Sequence, residues 1–154
     1  MPITYPAFVN ADAITSGTLR LESLPLQWVA SDNLRHNNDT ERFGNNAAYT
    51  KIKEINIDFL MKGTLRLKFD IRSNIDTHIS YAKIYLNGVA IGTEQSTSSS
   101  TYSTKSEDIA LNLHDGDLLQ IYVKQAADES VYIQNFKICG DPTTFASVHT
   151  NQDP

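Results

Sequence analysis

The stretch TLRLKFDIR, Thr64 to Arg72, alternates without a break. Leu65, Leu67, Phe69 and Ile71 are apolar, and Arg66, Lys68, Asp70 and Arg72 between them are charged. Side chains of a β-strand point to opposite faces in turn, so this pattern gives one dry face and one wet face. Just upstream, EINIDFL repeats the alternation, with Ile55, Ile57 and Phe59 against Asn56 and Asp58. The MKGT between the two runs reads as a turn at Gly63. Downstream, ISYAKIYLNGVAIGTE places Asn87-Gly88 between two runs of β-branched and aromatic residues. Both residues tolerate the positive φ of a type I′ turn, so this is a hairpin signal. EDIALNLHDGDLLQIYVKQ and SVYIQNFKICG add further strands around the turn HDGD.

Working outward, the pattern predicts about seven or eight strands and no helix. Strands at such spacing imply an all-β fold: an antiparallel two-sheet β-sandwich, jelly-roll-like. Residues 1–30 differ. Pro2, Pro6 and Pro25 break them, and Ile14, Leu19, Leu21 and Leu24 are too sparse to close a core. They read as an extended N-terminal arm. Residues 31–140 read as the sandwich domain, opening with a polar joint over 31–47. Residues 141–154 read as a tail in which Phe145 and Val148 pack back. The stretch Thr93 to Ser106 is rich in Ser and Thr and reads as an exposed loop or long hairpin.

The chain has 154 residues, 40% of them apolar, and a net charge of −5. No basic run is present, which argues against nucleic acid or an anionic membrane as partner. No apolar stretch approaches the roughly 18 residues of a membrane-spanning helix. MPITYPAF lacks the basic start and long apolar core of a signal peptide, so synthesis in a reducing cytoplasm is expected. The single cysteine, Cys139, ends an apolar run and reads as a buried, inert thiol.

Candidates for chemistry are few. His36, His78, His114 and His149 show no metal-ligand spacing and read as exposed loop residues. Asp115 and Asp117 flank Gly116 and offer at most a weak calcium site. A β-turn capped by Asp115 is the better reading, since calcium needs six or more oxygens. Nothing in the sequence brings Asp39, Glu41, Glu107 or Asp108 together as an acid/base pair. No nucleophile elbow or phosphate loop is present. The chain is therefore expected to be no enzyme and to need no metal or cofactor.

Aromatic residues carry a further possibility. Tyr81, Tyr85, Tyr122 and Tyr132, with Trp28, line a sugar-binding face in one reading and pack within or across the sheets in another. Tyr85 lies on the opposite face from Ile84 and Leu86. Tyr85 and Tyr102 are the candidate glycan contacts.

The segment ADAITSGTLRLESLP, Ala11 to Pro25, resembles a motif of tail-fibre and other appendage proteins of tailed bacteriophages. Ala11, Asp12, Ile14, Thr15, Ser16, Gly17, Thr18, Leu19, Leu24 and Pro25 carry the match, and Ser23 stands where the family often has Arg. The stretches YAKIYLNGVAIGTEQ, GDLLQIYVK and VYIQNFKICG are similar in style to a β-sandwich module of phage structural proteins. The resemblance implies a non-enzymatic virion protein: a small tail fibre, a head fibre or a capsid decoration. Its partners would be other virion proteins and its own copies, as a homotrimer. Physics supplies a reason for assembly. Burying Ile14, Leu19, Leu21 and Leu24 is worth roughly 6–12 kcal/mol. That does not exceed the cost of ordering the segment at about 1–2 kcal/mol per residue. Neighbouring chains or a larger particle would therefore shelter it; the alternative is a strand packed on its own domain. The competing function is a carbohydrate-binding module engaging host surface glycan.

Overall fold

The computed structural model describes residues 27–58 and 60–143. Ten strands follow in chain order: β1 (Gln27–Asn38), β2 (Arg42–Gly44), β3 (Thr50–Asn56), β4 (Met61–Ser73), β5 (Ser80–Leu86), β6 (Val89–Ala90), β7 (Gln95–Thr97), β8 (Ser103–Leu113), β9 (Leu118–Gln125) and β10 (Val131–Pro142). They form two sheets. In one, β4 lies between β8 and β10, and β1 and β2 also pair with β10. In the other, β9 lies between β3 and β5, and β5 also pairs with β6 and β7. All pairings are antiparallel except Gln27 and Trp28 of β1, which run parallel to Lys62 and Gly63. The expected sandwich is the observed fold, with the chain passing repeatedly from one layer to the other.

The core lies between the layers. The alternation of β4 puts Leu65, Leu67, Phe69 and Ile71 inward, each at most 1% exposed. Ala82 and Ile84 of β5, Leu119, Ile121 and Val123 of β9, and Ile133 and Phe136 of β10 meet them. Full burial of side chains of this size is worth about 1.5–3 kcal/mol each. The Asn87-Gly88 turn is present, with φ of 51° and 80°. It is tied to the turn before β9. Asn87 Nδ2 donates to Asp117 Oδ1 at 2.8 Å, and the Leu118 amide donates to Asn87 Oδ1 at 2.9 Å.

Several expectations change. The segment 31–47 is no simple joint: it holds most of β1 and all of β2. Its polar composition fits strands held by the backbone ladder to β10 while most of their side chains face water. The sandwich also starts inside the segment read as the arm, because Trp28 is part of the core. The Ser/Thr-rich stretch contains β7 and the start of β8. Its hydroxyls close the intervening bends, Thr97 Oγ1 accepting from the Ser99 amide and Ser99 Oγ from the Thr101 amide. Phe59, Phe145, Val148, His149 and the arm residues Ile14, Leu19, Leu21 and Leu24 lie outside the described residues.

Gly63 is not at a turn. It sits inside β4 with φ of 135°, where the β1 backbone crosses. A Cβ there would lie 2.6 Å from the Trp28 nitrogen and nearer still to its carbonyl oxygen. Gly116 also has positive φ, 87°, but has open space around it. Gly63→Ala is therefore expected to cost roughly 3 kcal/mol or more in urea denaturation. Gly116→Ala should cost about 1 kcal/mol. Equal losses would mean that the β1 crossing does not constrain Gly63.

Candidate functional site

The outer face of the β3–β9–β5 sheet follows from what its strands bury. With Ser80, Ala82 and Ile84 inward, β5 turns Tyr81, Lys83 and Tyr85 outward. With Leu119, Ile121 and Val123 inward, β9 turns Gln120, Tyr122 and Lys124 outward. β3 adds Lys51 and Glu54 at the edge. The register sets them in rows: Lys51 beside Tyr122 beside Lys83, then Glu54 beside Gln120 beside Tyr85, with Lys124 beside Tyr81. Tyr85 and Tyr122 are therefore diagonal neighbours, within reach for long side chains. Their rings stack with centroids 4.0 Å apart.

Tyr49, just before β3, completes the cluster. Its ring is tilted against Tyr85 at 6.3 Å. Its hydroxyl donates to Glu94 Oε2 at 2.6 Å, and Lys124 Nζ reaches the same oxygen at 3.0 Å. Burial and the bond to Glu94 push the Tyr49 phenol well above its ordinary pKa. Tyr49 and Lys124 in turn hold Glu94 below the usual glutamate value. Lys124 Nζ lies 4.7 Å from the Tyr81 ring centre and 4.8 Å from that of Tyr49, and Lys83 Nζ lies 5.3 Å from Tyr49. At the edge, Lys51 Nζ meets Glu54 Oε2 at 2.7 Å. Gln120 Nε2 donates to that same oxygen, and Gln120 Oε1 accepts the Gly88 amide, both at 2.8 Å. The Lys51 and Gln120 bonds keep the Glu54 carboxyl below its ordinary value. The result is four half-buried tyrosines framed by fixed donors and acceptors.

The structure sorts the sequence candidates differently from the expected set. Tyr81, Tyr85 and Tyr122 come together, joined by Tyr49. Tyr102 and Tyr132 lie on the outer face of the other sheet. There Arg72 sits 3.8 Å from the Tyr132 ring centre and 5.2 Å from that of Tyr102. Phe43 stacks on Tyr132 at 5.5 Å, and the Tyr102 hydroxyl donates to Glu41. Burial and that bond push the Tyr102 phenol up to about 12. Tyr85 and Tyr102 thus face opposite sides of the sandwich and do not share one site. Trp28 is 8% exposed and belongs to the core.

The titratable candidates are dispersed. Arg66 binds Asp108 through two bonds of 2.8 and 3.0 Å, and Glu107 accepts the Thr93 amide at 2.9 Å. Asp117, not Asp115, caps the HDGD turn by accepting the His114 amide at 2.7 Å. Asp117 takes this role because its second oxygen also holds Asn87 across the adjoining turn. Among the described residues no three His, Cys, Asp or Glu side chains converge as metal ligands. His36 lies exposed within β1 rather than in a loop. His78 is half-buried, its Nδ1 3.7 Å from the buried Glu129 carboxylate. Cys139 is buried, and that burial raises its thiol pKa. Tyr49 and Glu94 carry no local signal in the sequence: only the pairing of β3 with β9 and the return after β6 bring them to this face.

No family model matches the chain, and no curated protein matches it. Solved structures are similar in part. One is the CBM36-1 domain of a multidomain xylanase from the hindgut metagenome of Trinervitermes trinervoides, at 16% identity and a TM-score of 0.49, covering 77% of this chain and 93% of that one. Another is a family 35 carbohydrate binding module from Clostridium thermocellum, at 16% identity and a TM-score of 0.45, covering 67% and 95%. A third is CBM35 from Paenibacillus barcinonensis, at 18% identity and a TM-score of 0.44, covering 69% and 98%.

Proposed function

We propose that this sandwich is a non-catalytic carbohydrate-binding module. The observation that carries the reading is the gathering of Tyr49, Tyr81, Tyr85 and Tyr122 on one sheet face. A tyrosine presents an apolar ring and a polar tip. The ring suits the C–H surface of a sugar, and Glu54, Glu94 and Lys83 offer donors and acceptors for its hydroxyls. Glu54 is held by Lys51 and Gln120, and Glu94 by Tyr49 and Lys124, which lowers the ordering cost of binding. Binding without chemistry is the coherent role, since the candidate acids are scattered over the fold and engaged elsewhere.

A second reading rests on the motif Ala11 to Pro25. In it the module is carried on a tailed-phage particle, anchored by residues 1–30 as a trimer, with the sandwich outward to meet host glycan. Immunogold electron microscopy of purified particles should then label a tail or capsid position, and light scattering should give a trimer that residues 1–30 are needed to form. A monomer with or without those residues contradicts the trimer, and unlabelled particles contradict the virion location.

The glycan reading itself is tested by a glycan array followed by calorimetry. Tyr85→Ala and Tyr122→Ala are each expected to weaken binding roughly tenfold, equivalent to about 1.4 kcal/mol. Tyr132→Ala, on the opposite face, should leave it unchanged. Absence of any glycan ligand, or equal losses from both faces, would overturn it.

A further inference from the structure

The tyrosine face carries three lysines against two glutamates, on a chain whose net charge is −5. The charges are not evenly matched. Lys51 is neutralised by Glu54 at 2.7 Å. Glu94 serves both Lys124 and the Tyr49 hydroxyl. Lys83 forms no salt bridge and no side-chain hydrogen bond among the described residues. Its ammonium, with that of Lys124, lies against the ring of Tyr49, 5.3 and 4.8 Å from its centre. Two like charges converging on one ring repel each other, and a single shared carboxylate offsets them only in part. The backbone fixes this arrangement: Lys83 stands directly across from Tyr122 and between Tyr81 and Tyr85 along β5.

A bound anion would relieve that imbalance. From this geometry we infer that the glycan is acidic, with a carboxylate or sulfate on the sugar seated between Lys83 and Lys124 over Tyr49. The inference rests on the glycan-binding reading and narrows its ligand class. Two features argue for a sugar anion over an isolated ion. The cations sit amid aromatic rings rather than in a basic patch, and the Glu54 carboxylate lies one row away, where neutral hydroxyls would fall. A lysine offers a point charge with rotatable donors, so it accommodates either anion, and the two sources must be separated by experiment.

Calorimetry on the full chain at low salt provides the test. Polygalacturonate is compared with its methyl ester, and dextran sulfate with dextran. One charged polymer of the two pairs is expected to bind roughly five- to tenfold more tightly than its neutral counterpart. The pair that responds identifies carboxylate or sulfate. Lys83→Met should abolish that advantage and flatten the salt dependence, and Lys83→Arg should retain it. Tyr85→Ala should weaken charged and neutral polymers alike. Poly-glutamate should bind no better than the neutral glycans. If neutral glycans bind through Tyr85 and charge gains nothing in either pair, the acidic-ligand inference is wrong while the glycan reading stands. Poly-glutamate binding as tightly as the acidic glycans, or Lys83→Met matching the parent on them, also overturns it. If none of these polymers binds while the array finds a neutral glycan, the acidic-ligand inference falls and the glycan reading stands; if the array too finds none, both fall.

Discussion

Leu119, Ile121 and Val123 are each at most 1% exposed, and their burial against the opposite sheet leaves β9 no freedom of register. A slip of one residue would exchange the two faces of the strand, moving three apolar side chains into water and Tyr122 and Lys124 into the core. The same constraint acts on β5 through Ala82 and Ile84. Because both strands are pinned from inside, the outward residues are placed as firmly as the inward ones. The stacked pair Tyr85–Tyr122 is therefore a consequence of core packing. Substitutions on this outer face can change ligand contacts while the core is left intact.

The two outer faces use similar residues to different ends. On the β4 face Arg66 holds Asp108, and Asp32 lies between Arg66 and Lys68 at 3.3 and 3.1 Å, while Lys62 and Lys137 form no salt bridge or side-chain hydrogen bond among the described residues. Arg72 is enclosed by Tyr132, Tyr102 and Glu41. Exposed ion pairs of this kind add little stability each, about 0–1 kcal/mol. Lys83 stands without a carboxylate beside rings that are only half-buried. The gathering of rings around an unpaired lysine distinguishes the tyrosine face from the β4 face.

The fold was legible because the core strands are amphipathic with period two. β4, β5 and β9 announce themselves through Leu65 to Ile71, Ala82 to Ile84 and Leu119 to Val123. β1 does not, because its pairing with β10 is irregular in register and most of its side chains meet water. Gly63 looked like a turn residue since a glycine between two alternating runs usually marks one; here it is needed for a backbone crossing that no local pattern encodes. The site was legible in part. Parity alone places Tyr81, Tyr85 and Tyr122 outward on two strands, and the pairing of those strands in one sheet brings them together. The sequence gives no means to tell that Tyr132 and Tyr102 belong to the other layer. Nor does it show that Tyr49 and Glu94 converge, since they are joined by a pairing between distant strands.

The proposed glycan lies on the face formed by Tyr49, Tyr81, Tyr85 and Tyr122. Two-dimensional NMR of the isotopically labelled protein, titrated with a bound oligosaccharide, maps the contact directly. The largest shift changes are expected at Tyr85, Tyr122 and Lys83, with Tyr132 and Phe43 unmoved. Changes centred on Tyr132, Phe43 and Arg72, or on the loops between strands, would contradict this placement.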